Sequence, residues 1–146
     1  MKFTQYYLEC LSQASYLIGD ETTARAVVVD PRRDIDEYVR DAEAAGLTIE
    51  LVIETHFHAD FLSGHLELAA ATGAAIAYSD VVDTESESRQ LAHGERIDLA
   101  DVVLEISHTS GHTPELFFIS VWYGSLSDTP FAGPNALALC LSAVGL

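Results

Sequence analysis

The run AVVV at residues 26–29 constrains the fold more than any other feature of the sequence. A continuous apolar run of β-branched residues is typical of a strand that is covered on both faces. Residues 3–8 and 15–18 are rich in β-branched and aromatic types and predict two earlier strands, with a turn at Gly19-Asp20. The chain therefore begins as a sheet that needs a layer of structure on each side.

The following segment supplies a helix for one of these layers. Asp34 and Glu37 have the spacing of an N-cap and its capping-box partner, apolar residues then recur at helical spacing, and Gly46 ends the helix. Strands are predicted at 47–54, 74–78, 102–107 and 116–123, and a second helix from about Ser63 to Gly73. This order predicts an α/β fold with mixed sheets.

Composition excludes several classes of function. The chain has 146 residues, of which 23 are acidic and 7 basic, and the net charge of −16 argues against binding to nucleic acid or to anionic membranes. No apolar run reaches the roughly 18 residues of a membrane-spanning helix, and the N-terminus lacks the pattern of a signal peptide. With only Cys10 and Cys140, we expect a cytoplasmic protein with reduced thiols and a buried Cys10.

Two histidine clusters follow predicted strands and indicate a metal site. In Thr55-His56-Phe57-His58-Ala59-Asp60, alternate spacing in an extended segment points both histidines the same way, and a turn brings Asp60 towards them. Imidazole and carboxylate are ligands for zinc, iron or manganese. The alternative for this cluster alone is an ordinary polar loop.

The second cluster runs from His108 to Pro114, where Gly111 allows a turn that faces His112 inward. Alone it is more typical of an ordinary turn than of a metal ligand, and His108 either supports a ligand or faces solvent. Together, the clusters predict that histidines from two strand ends converge on one ion.

The motif THFHADFLSGH at 55–65 and the motif GHTP at 111–114 resemble the metallo-β-lactamase fold, an αββα sandwich. Within that fold the chain is most similar to persulfide dioxygenases (sulfur dioxygenases), including bacterial forms fused to rhodanese domains. The resemblance covers about residues 3–123 and extends to VVVDP at 27–31.

The resemblance implies the metal and its ligands. Phe61 stands where hydrolases of the fold, such as glyoxalase II, have a histidine for a second metal, so a mononuclear centre is favoured. Fe(II) is the implied metal and Zn(II) the alternative. His56 and His112 match metal ligands, while His58 and Asp60 match auxiliary or catalytic positions, with His58 also a possible ligand.

The chain departs from the family after residue 123. The Thr-Gly-Asp segment that carries the family's aspartate ligand is missing, and Asp128 is the only charged residue in 124–146. We therefore expect an incomplete domain over residues 1–123, holding the N-terminal half of the fold and part of the second sheet, and an atypical tail over 124–146. A frameshift or early termination near Phe131 is the favoured explanation, and a divergent tail forming a small apolar helix is the alternative.

Three functions follow as expectations. The first is oxidation of a glutathione-like, small-molecule persulfide to sulfite, impaired if the third ligand is lost. The second is thioester hydrolysis of the glyoxalase II type, and the third is an inactive, truncated remnant. An uncovered apolar sheet face further predicts self-association into a homo-oligomer or aggregate.

Overall fold

The computed structural model describes residues 1–58, 62–83, 87–109, 115–124 and 139–141. Its first part holds β1 (Lys2–Leu8), a 3₁₀ turn (Glu9–Leu11), β2 (Gln13–Asp20), β3 (Arg25–Val29), α1 (Asp36–Ala44), β4 (Thr48–Ile53), α2 (His65–Thr72) and β5 (Ala75–Ser79). The remainder holds β6 (Arg89–Leu91), β7 (Arg96–Asp98), β8 (Val102–His108), β9 (Phe117–Tyr123) and β10 (Leu139–Leu141).

These strands form two sheets. The first has the order β1-β2-β3-β4-β5-β6, antiparallel up to β3 and parallel from β3 onward, and the second has the order β10-β9-β8-β7 and is antiparallel. Parallel strands need crossovers, and α1 and α2 provide those between β3, β4 and β5. The predicted mixed α/β architecture is confirmed.

Two apolar cores hold the layers together. One lies between the sheets and includes Val27, Val29 and Ile53 of the first sheet with Leu104 and Ile119 of the second. The other packs the opposite face of the first sheet against the helices. Alternate residues of β3 thus enter different cores, as the apolar run at 26–29 predicted. The described residues form a helix, sheet, sheet arrangement.

The start of α1 differs from the expected capping box. The residue that caps the helix is Ile35, without a side-chain hydrogen bond, and Glu37 instead pairs with Arg32. A guanidinium within reach competes for the carboxylate that the capping box requires. The capping-box prediction at Asp34 and Glu37 is therefore wrong, although the helix itself is present.

Cys10 and the tail also differ from expectation. Cys10 lies in the 3₁₀ turn after β1 and is exposed, because the strand ends at Leu8 before it reaches this residue. In the tail, Leu139–Leu141 is a strand paired with β9, so these three residues do not form the helix offered as the alternative. The frameshift and the division at residue 123 stay predictions.

Neither of the two helices in the described ranges has the length and apolarity needed to cross a membrane.

Candidate metal centre

The candidate site lies where two neighbouring parallel strands end. Asp30 directly follows β3, and His56 and His58 come shortly after β4. Carboxyl ends of parallel strands meet at one sheet edge, which is where open α/β sheets bind ligands. The imidazole rings of His56 and His58 lie 4.0 Å apart between centroids, so the alternate spacing brings them together.

Asp30 is held rigidly at this edge. It is fully buried, and its backbone has a φ of 50°, a left-handed conformation that is unusual for a residue other than glycine. Its N–H donates to the carbonyl of Ile53 at 2.8 Å, which continues the pairing of β3 with β4. Backbone strain of this kind concentrates at functional sites.

The carboxylate of Asp30 accepts three hydrogen bonds. The backbone N–H of Thr55 donates to Oδ1 at 2.8 Å, and the Thr55 hydroxyl donates to Oδ2 at 2.7 Å. Nε2 of His58 lies 3.1 Å from Oδ1. Asp30 thus connects the β3 end to the segment that carries both histidines.

These bonds determine the tautomers of both histidines. With the Asp30 oxygen as the acceptor, Nε2 of His58 donates its hydrogen and Nδ1 carries the lone pair. The Thr55 hydroxyl gives its only hydrogen to Asp30, so its oxygen accepts from Nδ1 of His56, 3.1 Å away. The lone pair of His56 is therefore on Nε2. A buried partner of this type typically orients metal-binding histidines.

The donor set fits a divalent metal ion. Asp30, His56 and His58 each offer one ligand atom, and these atoms all lie within 4.8 Å of one another. Imidazole nitrogen and carboxylate oxygen suit both zinc and iron. Asp30, His56 and His58 therefore form the candidate ligand set, and Asp30 is also hydrogen-bonded to the segment that carries the histidines.

A buried acid lies beside this group. Glu54 is 3% exposed, accepts a short hydrogen bond from Ser63, and lies 3.7 Å from Nε2 of His58. Burial and the nearby negative charge of Asp30 raise the pKa of the Glu54 carboxyl well above its usual range. Burial also lowers the pKa of His65, whose Nδ1 lies 3.5 Å from Glu54.

A pocket of about 360 Å³ opens next to His58. Its polar side includes Glu54 and Ser63, and its apolar side includes the exposed side chains of Leu62 and Leu66. This volume falls within the range of small-molecule sites. Burial, and secondarily Glu54, raises the pKa of the lining Tyr78 to about 12, so its phenol is neutral at pH 7.

The residues that follow the second histidine cluster contact the first cluster. Glu115 accepts from the N–H of Phe57 at 3.4 Å, and Phe117 donates its N–H to the carbonyl of Thr55 at 3.3 Å. The two flanks of the second cluster are joined to each other, because Thr109 donates its N–H to the carbonyl of Leu116 at 3.0 Å. The C-terminal flank of 110–114 thus contacts the segment carrying His56 and His58.

Several predicted site residues lie outside the described ranges. These are the predicted ligand His112, the predicted catalytic residue Asp60, and also Phe61 and Asp128. Their roles stay predictions.

The family follows from a direct match. The model of the metallo-beta-lactamase superfamily matches residues 8–125, which includes both histidine clusters. The chain belongs to this superfamily. In a metallo-beta-lactamase domain, the cluster at the ends of β3 and β4 is expected to bind metal, which agrees with its donor set.

The chain is similar to relatives and solved structures that carry three different protein names. It is 33% identical over 106 residues to a hydroxyacylglutathione hydrolase of Erythrobacter litoralis, covering 71% of this chain and 42% of the relative. A metallo-beta-lactamase structure from Staphylococcus aureus has a TM-score of 0.76 at 39% identity, with 83% of this chain and 38% of that one covered. ETHE1 from Myxococcus xanthus has a TM-score of 0.76 at 30% identity, with 83% and 54% covered.

The chain thus spans about two fifths of the length of that hydrolase and about half of ETHE1. These relatives bring no support for a rhodanese fusion, which stays a prediction.

Sequence reasoning missed Asp30 and Glu54 as parts of the site, and it included Thr55 in the first cluster without predicting its role. Asp30 lies in the motif VVVDP at 27–31, and its position carries a signal. An acid directly after a fully buried strand lies at the same sheet edge as the histidines after the next parallel strand. Glu54 gave no such signal, because only packing reveals its burial.

Proposed function

We propose that this metallo-beta-lactamase domain is a mononuclear Fe(II) persulfide dioxygenase that oxidises glutathione persulfide, or a similar small-molecule persulfide, to sulfite. Phe61 carries the proposal, since it replaces the histidine that holds a second metal in hydrolases of the fold. A phenyl ring has no donor atom, so the dinuclear centre of those hydrolases lacks a ligand.

The reaction balances with one O₂ and one water. The persulfide S–S bond breaks, the terminal sulfur loses four further electrons to O₂ and leaves as sulfite, and the thiol and two protons are released. Bound Fe(II) would supply the redox chemistry that allows O₂ to react with the persulfide.

The residues of the chain hold and orient the reacting groups. Asp30 and Thr55 keep the lone pairs of His56 and His58 directed to the metal position. The pocket beside His58 has the size for the organic part of the persulfide. We further propose that His112 completes the ligand set, supported by the contacts of its flanking residues with the first cluster.

The structural likeness to ETHE1, with a TM-score of 0.76 at 30% identity, supports the persulfide dioxygenase proposal. Oxygen consumption by the full chain with Fe(II) and glutathione persulfide tests the proposal directly. We expect consumption with sulfite as product. Protein that loads iron but consumes no oxygen above the free-iron rate with any persulfide would refute it.

Metal content tests the ligands separately. His56→Ala or His112→Ala should abolish most iron or zinc loading, because the remaining ligands hold a divalent ion poorly. Glu43, at an exposed position of α1, provides the control, and Glu43→Ala should load metal like the parent. Equal metal content in the His56 or His112 variant and the parent would rule out that residue as a ligand.

The similarity to hydroxyacylglutathione hydrolases favours a second candidate, a zinc-dependent thioester hydrolase. There the metal would lower the pKa of water for attack on the thioester carbonyl. Cleavage of a glutathione thioester by the zinc-loaded chain, without oxygen consumption by the iron-loaded chain, would identify it. Neither reaction would identify an inactive remnant. A cytoplasmic location and lack of nucleic-acid or membrane binding stay predictions.

A further inference from the structure

His108, the last residue of β8, joins the two sheets by side-chain hydrogen bonds. Its Nε2 lies 3.1 Å from the carbonyl oxygen of Leu91 on β6 and 3.5 Å from Oγ of Ser79 on β5. A carbonyl oxygen only accepts, so Nε2 carries the hydrogen and donates it to Leu91. Nδ1 faces the carboxylate of Asp80 at 3.8 Å. One imidazole thus connects the end of the second sheet to two strands of the first.

The position of the ring is held from its own side as well. The backbone N–H of His108 donates to Nδ1 of His93 at 3.0 Å. The ring also packs against Phe117, which is fully buried, at 6.0 Å between centroids. Contacts on three sides leave the ring little freedom to move without moving β8.

A short series of contacts leads from this ring to the candidate metal centre. His108 is opposite Phe117 in the register of β8 and β9, and Phe117 donates its N–H to the carbonyl of Thr55. Thr55 in turn bonds to His56 and Asp30. A shift of the β8 end relative to β5 and β6 would therefore be transmitted to the segment that carries the histidines.

We propose that His108 is a positioning residue of the metal centre. It sets the spacing between the sheet that carries His56 and His58 and the strand that leads to His112. The inference rests on the proposed metal centre. Loss of such supporting partners typically lowers metal affinity about 10- to 100-fold.

Two substitutions in the full chain separate hydrogen bonding from packing. His108→Phe keeps a ring but removes both nitrogens, whereas His108→Gln keeps an amide that can donate to Leu91. Arg96→Gln is the control, because it removes only an exposed ion pair with Glu105 on the same sheet. Co(II) affinity and the visible absorption of bound Co(II) are measured for each.

We expect His108→Phe to lower Co(II) affinity at least about 10-fold and to change the absorption spectrum. His108→Gln and Arg96→Gln should stay within about 3-fold of the parent and keep its spectrum. Equal affinity and spectrum in the Phe variant and the parent would overturn the proposal.

Hydrogen exchange of the metal-free chain adds a test that needs no bound ion. In His108→Phe, the amide of Phe117 should exchange at least about 10-fold faster, while the amide of Val28 in the first sheet stays unchanged. Unchanged exchange at Phe117, or an equal increase at Val28, would overturn the proposal. If the parent binds no Co(II), the proposed function fails, and the exchange data alone decide the role of His108.

Discussion

Asp30 directs the site through hydrogen bonds. Its buried carboxylate accepts from Thr55 twice and from His58 once, and so determines which nitrogen of each histidine carries the lone pair. A left-handed conformation costs a residue other than glycine about 1–3 kcal/mol. The three hydrogen bonds offset this cost.

Asp30→Asn tests this role. Asparagine has one side-chain oxygen, so its amide nitrogen would face either the two donors at the Oδ1 position or the Thr55 hydroxyl at the Oδ2 position. We therefore expect zinc affinity to fall about 10- to 100-fold in a chelator competition. Asp34→Asn, at an exposed position four residues later, serves as the control and should bind zinc like the parent. Parent-like affinity in the Asp30 variant would contradict the orienting role.

At the scale of elements, close backbone contact holds the start of α2 against the loop after β3. Gly64 donates its N–H to the carbonyl of Pro31 at 2.9 Å, and Arg32 forms an isolated bridge with Ser63. A Cβ on Gly64 would lie 2.1 Å from the carbonyl oxygen of Arg32. This contact positions Ser63, which bonds to Glu54 at the site.

Gly64→Ala should therefore destabilise the protein by about 3 kcal/mol, since the obstacle is backbone and cannot rotate away. Gly73→Asn is the matched control. Gly73 ends α2 with a φ of 76°, no atom lies within 4 Å of its added Cβ, and asparagine tolerates this conformation. Urea unfolding measures the free energy of unfolding of both variants. Equal values would show that the backbones at Gly64 and Arg32 separate easily.

Asp20 joins the sheets at the end remote from the metal centre. Its buried carboxylate accepts from the backbone N–H groups of Thr22 and Asp101, both at 2.8 Å, and so connects the β2–β3 turn to the β7–β8 turn. Burial alone would raise the pKa of Asp20, but these hydrogen bonds outweigh it and hold the pKa below 3.8.

Asp20→Asn should lower the free energy of unfolding by about 2 kcal/mol at pH 7, because a charged acceptor is lost. A pKa lowered by folding gives stability that is present above the unfolded value of 3.8 and lost as pH falls through the folded value. The difference from the parent should thus shrink in urea unfolding below pH 3.8. Asp36→Asn, at an exposed position of α1, is the control. A difference that does not change with pH would contradict this account.

At the scale of the molecule, the two sheets pack their apolar faces against each other. The face of the first sheet that points to the second sheet is therefore covered. On β9, Phe117, Ile119 and Val121 enter this core, and the alternating Phe118 and Trp122 belong to the opposite face and are partly exposed. We propose this outer face as the surface for self-association.

Sedimentation velocity tests that proposal. We expect the parent to form dimers or larger species, and Phe118→Ser to shift it towards monomer because apolar area at the interface is lost. Tyr7→Ser, at a side chain 54% exposed on β1 of the first sheet, should behave like the parent. A monodisperse parent monomer that binds no hydrophobic dye would contradict self-association through this face.

The sequence by itself determined both helices and the longer strands, but not the three-residue strands β6 and β10. It also determined the two-sided burial of β3 and the pairing of His56 with His58. Each depends on periodicity within a short segment, which local chain geometry converts directly into a face or an edge. Even locally the prediction failed where a neighbour competed, as Arg32 does for Glu37.

Only the tertiary structure decided that Asp30 bonds to Thr55 and His58, that Glu54 is buried beside them, and that His108 and Asp20 join the sheets at opposite ends. These contacts connect residues far apart in the chain, and burial and hydrogen bonding depend on which elements pack together. No local pattern records that packing, because its physical cause is the meeting of two sheets and two helices around shared cores.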